Sequence, residues 1–261
     1  MMAATKHTNA RGGRVSSRAA GQETGVRDLL ASGSHDLGTD LSDRQLDRFE
    51  GFTALLLEWN KRLNLTRITE PEEIVVKHHL DSLALLRFLQ IPPDSAMIDV
   101  GTGAGFPAIP LAIARPDLRI TMLDSVRKRL GFLEAAISEL GLSDVEIVHG
   151  RAEDIGQDAR FREKYDFAVA RAVARLNVLV ELCLPFCRVG GTFVAYKGPE
   201  AAEEARDASG AIRILGGRLD AIHEFELPVG GFRRSLVVIS KVKATPTGYP
   251  RSAGTPGRSP L

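Results

Sequence analysis

Residues 96–110 read AMIDVGTGAGFPAIP, and their punctuation organises the rest of the chain. Ala96 to Val100 is a short apolar run broken only by Asp99. Glycines then alternate at Gly101, Gly103 and Gly105, and an apolar segment follows with Pro107 in its first turn. The order is strand, tight loop, helix. Glycine takes positive φ freely and lets backbone approach a ligand where a side chain would collide, so D-x-G-x-G-x-G suits a cofactor-binding loop. Alone the loop is ambiguous. Gly103, Gly105 and Ala108 also satisfy the dinucleotide fingerprint G-x-G-x-x-G/A, in which a helix N-terminus binds pyrophosphate.

Two acidic positions downstream narrow the choice. Asp124, with Ser125 beside it, ends the next apolar run 21 residues after Gly103, where a carboxylate can accept hydrogen bonds from both hydroxyls of an adenosine ribose. After a third run come Arg151, Ala152, Glu153 and Asp154, an acidic loop of the kind placed beside adenine in methyltransferases. An acid there can accept from the exocyclic amine, whereas a pyrophosphate-bearing ligand gains nothing from extra negative charge. The three elements together point to S-adenosylmethionine, with a solvated helix start as the plainer reading of Glu153 and Asp154.

The remaining pattern predicts a parallel sheet built from βαβ units. Expected strands are 96–100, 119–123, 145–149, 166–170 and 191–196, and Val126 to Leu140 repeats apolar residues on one helical face before Gly141 stops it. Two last strands, about 219–227 and 235–242, are joined by Pro228, Gly230 and Gly231, a connection short enough only for an antiparallel hairpin. The first third is helical. Ser42 and Gln45 have capping-box spacing ahead of Leu46, Phe49, Phe52, Leu56, Trp59 and Leu63, and a second helix opens at Pro71 and ends before Pro92. We expect a doubly wound, seven-stranded Rossmann-like α/β fold with an N-terminal helical extension. Its expected divisions are a disordered basic tail over 1–24, the extension over 25–93, the cofactor domain over 94–243 and a basic tail over 244–261.

Composition excludes several classes. A hydrophobic share of 44%, a charged share of 26% and no apolar run near the roughly 20 residues that span a bilayer lead us to expect a protein that is not embedded in a membrane. Cys183 and Cys187 are too few for a disulfide framework, and core packing near a helix end suits them better than zinc or a thiolate nucleophile. No metal is expected, and the chain is expected to be a cytoplasmic monomer. The net charge of +1 is uninformative, but both tails are purely basic: Lys6, Arg11, Arg14 and Arg18 at one end, Lys241, Lys243, Arg251 and Arg258 at the other. They either touch phosphates or are solvated ends.

The stretches EWNKRLNLT (58–66), KHHLDSL (77–83), Ile98 to Pro110, Leu123 to Arg129 and Tyr196 to Gly198 resemble the glucose-inhibited division protein B family. This is the ribosomal RNA small subunit methyltransferase G group, and the resemblance runs from about residue 42 to 261, including the tail Thr245 to Leu261. It implies a class I methyltransferase fold and methylation of a guanine N7 in 16S rRNA, on naked RNA or on the ribosomal small subunit. It further implies that Gly101 and Phe106 frame the cofactor, that Ala152 and Glu153 sit at its adenine, and that Arg171 lines the pocket. Many members carry Leu where this chain has Phe106.

The chemistry agrees with that target. Guanine N7 presents a lone pair and carries no proton, so transfer needs alignment rather than a general base. An exocyclic-amine target normally goes with an N/D-P-P-Y turn after the fourth strand, where this chain has Ala170, Arg171, Ala172 and Val173. Lys197 ends the fifth strand at the edge where open sheets bind ligands, and we read it as a substrate residue, with Arg171 the second candidate catalytic residue. Asn60, Lys61, Arg62, Asn64 and Arg67 either meet RNA or complement a helix end. Adjacent His78 and His79 point about 100° apart on a helix and cannot chelate one metal together. Asp81, with one histidine, either reaches the cofactor edge or orients its helix. A nicotinamide-dependent oxidoreductase and a non-catalytic RNA-binding protein remain as alternatives.

Overall fold

The computed structural model describes residues 25–261. Seven strands, β1 (Ala96–Val100), β2 (Arg119–Asp124), β3 (Val145–His149), β4 (Tyr165–Arg171), β5 (Cys187–Lys197), β6 (Gly217–Glu226) and β7 (Arg233–Lys241), form one sheet in the order β3-β2-β1-β4-β5-β7-β6. The first five are parallel, and β7 runs antiparallel to both β5 and β6. The order reverses between β1 and β4. Loops leaving those two strands therefore diverge and open a crevice at the carboxyl edge. The antiparallel β7 also separates this sheet from the all-parallel 3-2-1-4-5-6 dinucleotide fold.

Both faces of the central strands are covered, which is why β1 and β4 read as nearly continuous apolar runs. Met97 and Val169 face a core shared with α1 (Val26–Asp36), α2 (Asp43–Leu63), α6 (Ala108–Ala114) and α7 (Arg127–Leu140). Ile98, Ala168 and Ala170 face the other, built with α9 (Leu176–Cys183), α10 (Ala201–Asp207) and α11 (Ser209–Ile214). The predicted cap forms: Ser42 N–H donates to Gln45 Oε1 at 2.9 Å, and the Gln45 amide donates in turn to Ile113 and Ala114 carbonyls at the end of α6. Helix α7 stops at Gly141, which takes φ +60. Among the described residues no helix is long and apolar enough to cross a membrane.

Three expectations need revision. The predicted helix from Pro71 is not continuous: α3 (Pro71–Ile74) passes into a π-turn over Val75–Leu80 before α4 (Asp81–Leu83) and α5 (Leu85–Phe88). The Lys77 carbonyl in that turn receives the Arg171 guanidinium at 3.0 Å. Strand β5 begins at Cys187, four residues earlier than expected, with Cys183 closing α9, and both thiols are buried.

The C-terminal segment is neither a solvated end nor a free phosphate-binding arm. Lys241 is buried, donating to the Leu184 carbonyl and the Thr245 hydroxyl, and Arg251 forks onto the fully buried Glu181 carboxylate at 2.6 and 2.9 Å. Arg162 fastens the same segment through the Thr245 and Tyr249 carbonyls, and it ends in the short α12 (Thr255–Arg258). Lys243 and Arg258 alone of its predicted cations are exposed. The expected basic tail over 1–24 lies outside the described residues.

Candidate cofactor and substrate site

Gly101, Gly103 and Gly105 have φ of +77, +61 and +82, which explains three glycines in one loop. A Cβ on Gly105 would lie 2.3 Å from Ile109, and one on Gly101 would lie 2.8 Å from Val173, so the first packs against α6 and the second against the loop after β4. At Gly103 only the backbone conformation demands glycine, because a Cβ there would make no more than an ordinary contact, 3.9 Å from the Gly101 carbonyl oxygen.

Beneath the loop Asp99 is fully buried. Its Oδ2 accepts from the Thr102 hydroxyl at 2.7 Å and the Ala108 N–H at 3.3 Å, while Oδ1 has no partner. Burial pushes this carboxyl up to about 7. Asp124 is also buried, but both of its oxygens are engaged: Gly103 N–H donates at 2.9 Å, Val126 N–H at 2.7 Å and Arg129 at 3.1 Å. The expected ribose acceptor thus braces the glycine loop, and Arg129 occupies one of its oxygens.

Beside the loop, Phe106 turns inward rather than toward open space. Its ring stacks on His78 at 4.6 Å, meets Phe52 at 5.1 Å and carries the Arg171 guanidinium at 5.1 Å. Arg171 also donates to Asp81 at 2.9 Å and to His78 Nδ1 at 3.2 Å. Because arginine only donates, His78 Nδ1 is the bare nitrogen and Nε2–H faces the Thr66 hydroxyl. Burial and the Arg171 charge push His78 down to about 3, so it is neutral. His79, likewise pushed down to about 3 by burial, meets Thr53 at 2.8 Å. The Thr53 hydrogen goes to the Phe49 carbonyl, which makes His79 Nε2 the donor and leaves Nδ1 bare. The two histidines do diverge, as their adjacency requires.

Arg171 forms one wall of a cleft of about 400 Å³ at the carboxyl ends of β4 and β5, lined also by Lys77, His78, Asp81, Tyr196, Lys197 and Arg234. Asp81 lies between Arg171 and Arg234, the latter at 3.1 Å. Lys197 is held by Glu204 at 2.7 Å and the Ala174 carbonyl at 2.6 Å, so the predicted substrate lysine is tied to the protein in this state. The Tyr196 hydroxyl donates to the Ser82 carbonyl, and burial raises it well above its usual range. Burial raises Cys187 to about 12 and holds Cys183 well above its usual range, which suits core packing and not a thiolate.

The description rRNA small subunit methyltransferase G belongs to the family that matches residues 45–237, a span from α2 through the glycine loop and cleft into β7. The chain belongs to this family. A protein of Alkaliphilus metalliredigens named ribosomal RNA small subunit methyltransferase G is 51% identical over 233 residues, which is 89% of this chain and 98% of that one. One of the same name from Desulforamulus reducens is 49% identical over 232 residues, 89% of this chain and 97% of its own. A solved structure described as MtNAS in complex with MTA and tNA shares the fold, with a TM-score of 0.50 and 12% identity over 82% of this chain and 75% of that one.

Membership in the methyltransferase G family, with the antiparallel β7, sets aside the nicotinamide-dependent alternative. Of the other positions expected at the cofactor, Ser125 is exposed beside Asp124, and Ala152 is half-buried in the short α8 (Ala152–Ile155). Glu153 and Asp154 part company. Asp154 faces solvent, while Glu153 is buried with Oε1 accepting from Gly254 N–H of the C-terminal segment at 2.7 Å. Asn60 closes the loop after α2 through both Thr66 backbone groups, and Asn64 takes φ +49 there, leaving Lys61, Arg62 and Arg67 exposed. Sequence reasoning missed Arg234 and Tyr196. The predicted hairpin held the clue to Arg234, since an antiparallel last strand brings its start to the edge where β5 ends.

Proposed function

We propose that this chain transfers the methyl group of S-adenosylmethionine to a guanine N7 of small-subunit rRNA. The bound donor supplies an electrophilic methyl on a sulfonium. For its binding we assign the Gly101, Gly103 and Gly105 backbone, the loop at Phe106, Asp124 with Ser125 at the ribose, Ala152 and Glu153 at the adenine, and Arg171. Two features fit that group. Asp99 keeps an unpartnered oxygen under the loop, suited to a cationic amino group, and at Gly103 the backbone is uncrowded, with nothing nearer than 3.9 Å to where a Cβ would stand.

The observation that carries the reading is that the acceptor cleft adjoins the glycine loop through Phe106 and Arg171 yet holds no idle base. His78 has both nitrogens engaged, Asp81 is shared by two arginines, and Tyr196 keeps its proton. Such a cleft suits an acceptor that already owns its lone pair, for which proximity and orientation lower the barrier. Arg171 and Lys197 are then positioning and charge-bearing groups at its wall, with Lys197 able to exchange Glu204 for a phosphate or a base oxygen.

Small ribosomal subunits from cells lacking the gene, incubated with the purified chain and methyl-labelled donor, should gain one labelled N7-methylguanine on nucleotide mass spectrometry. Label at an amine or carbon, or binding without transfer, would overturn the assignment. S-adenosylhomocysteine, and not NAD, should raise the melting temperature.

A further inference from the structure

The hairpin joining β6 to β7 ends in Phe232, which is 37% exposed and adjoins two residues that line the cleft. Its immediate neighbours are cationic. Lys77 Nζ lies 4.9 Å from the ring centroid and the Arg234 guanidinium 5.9 Å, and both side chains also line the cleft. The turn itself is shaped around the ring: Gly230 and Gly231 have φ of +77 and +59, and a Cβ on Gly230 would lie 2.5 Å from Phe232 Cε2. Any other residue at Gly230 would push the ring aside. An aromatic side chain is therefore held in a set place, partly bared to water, beside two cations that line the cleft.

That combination has a specific use. Single-stranded nucleic acid is gripped by an aromatic face for the base and cations for the adjoining phosphates, with each stacked base contributing about 1–3 kcal/mol. A protein partner would gain little from an apolar contact as small as one ring rimmed by charge. The acids nearby leave a positive excess: Glu73 pairs with Lys77, but the single carboxylate of Asp81 is shared between Arg171 and Arg234, and Glu226 reaches Arg233 only at 3.7 Å.

We propose that Phe232 is a stacking site for an unpaired base next to the methylated one, with Lys77 and Arg234 on the flanking phosphates. The inference rests on the rRNA reading above. Its test is the kinetics of methyl transfer to small subunits purified from cells lacking the gene, together with calorimetry of S-adenosylhomocysteine. Phe232→Ala should raise KM for the subunits about tenfold, the effect of roughly 1.4 kcal/mol of lost stacking, and leave the nucleoside's affinity unchanged. Phe232→Trp should restore KM, and Phe232→Leu, apolar but without a π face, should not. An unchanged KM in Phe232→Ala, or full rescue by leucine, overturns the stacking site alone. A wild-type chain that methylates no subunit overturns it together with the functional reading.

Discussion

Burial holds the Asp99 carboxyl at about 7 although Thr102 and Ala108 donate to it. In the unfolded chain it ionises near 3.8, so between those values the folded state keeps a proton that the unfolded state has released. The stability contributed by protonated Asp99 is thus complete below about 3.8 and is lost as pH rises to about 7. A cation at the unpartnered oxygen reverses the preference, because opposite charge favours the carboxylate. Affinity for S-adenosylhomocysteine, whose amino group is cationic, should therefore rise across roughly pH 6 to 8 with release of a proton. Asp99→Asn should flatten that profile; calorimetry in two buffers of different ionisation enthalpy reads it, and an equal slope in the variant would remove Asp99 from the site. At Asp124 the loop brace and the proposed ribose contact coincide. Asp124→Asn should weaken the same ligand about tenfold, through loss of charge-assisted bonds, and unaltered affinity would confine Asp124 to bracing. These two acids were legible because strand, glycine and carboxylate sit close in sequence. The partners of Arg171 were not, since Lys77 and Asp81 lie 94 and 90 positions away.

Among the elements, α2 and α7 declared themselves through local signals, a cap at Ser42 and a left-handed glycine at Gly141. The π-turn after Ile74 did not, because apolar spacing of three or four residues looks alike with one residue more in the turn. The C-terminal segment was misjudged for a related reason. It has no periodicity, and what holds it is a set of bonds from Arg162, Gln157 and Glu181, none predictable from its own composition. Its Arg251 makes a definite claim. Arg251→Ala leaves the Glu181 carboxylate buried and uncompensated, which costs about 3–5 kcal/mol in comparable sites. Chemical denaturation should show a loss of that order, with partial recovery in Arg251→Ala combined with Glu181→Gln. Since Gly254 of the same segment fixes Glu153, ligand affinity should fall in both variants; affinity held at the wild-type value would separate the segment from the proposed adenine site.

For the whole molecule, the helical extension and the sheet share one core. Phe49, Phe52 and Leu56 from α2 join Ile109, Phe132 and Leu133 from the elements around the glycine loop, and Phe52 stands between Phe106, Phe132 and His79. The sequence divides plainly at Pro92 and Pro93, where the pattern changes from helices to alternating strands, but a boundary in pattern is not one in packing. Periodicity marks which face of α2 is apolar and says nothing of the surface it meets. If residues 25–93 were absent, the inner faces of α6 and α7 would lie open, and Phe106 would lose both His78 and Phe52. A chain of residues 94–261 should then melt without a cooperative transition, bind apolar dyes and fail to bind S-adenosylhomocysteine, all measurable by calorimetry and fluorescence. Phe52→Ala in the full chain gives the graded version: about 3–5 kcal/mol of lost stability, read by denaturation, with weaker ligand binding because the loop at Phe106 loses its backing. Cooperative melting of the shorter chain with full-length affinity would mean that the extension serves the RNA only. The shared aromatic core argues that it builds the cofactor loop's rear wall as well.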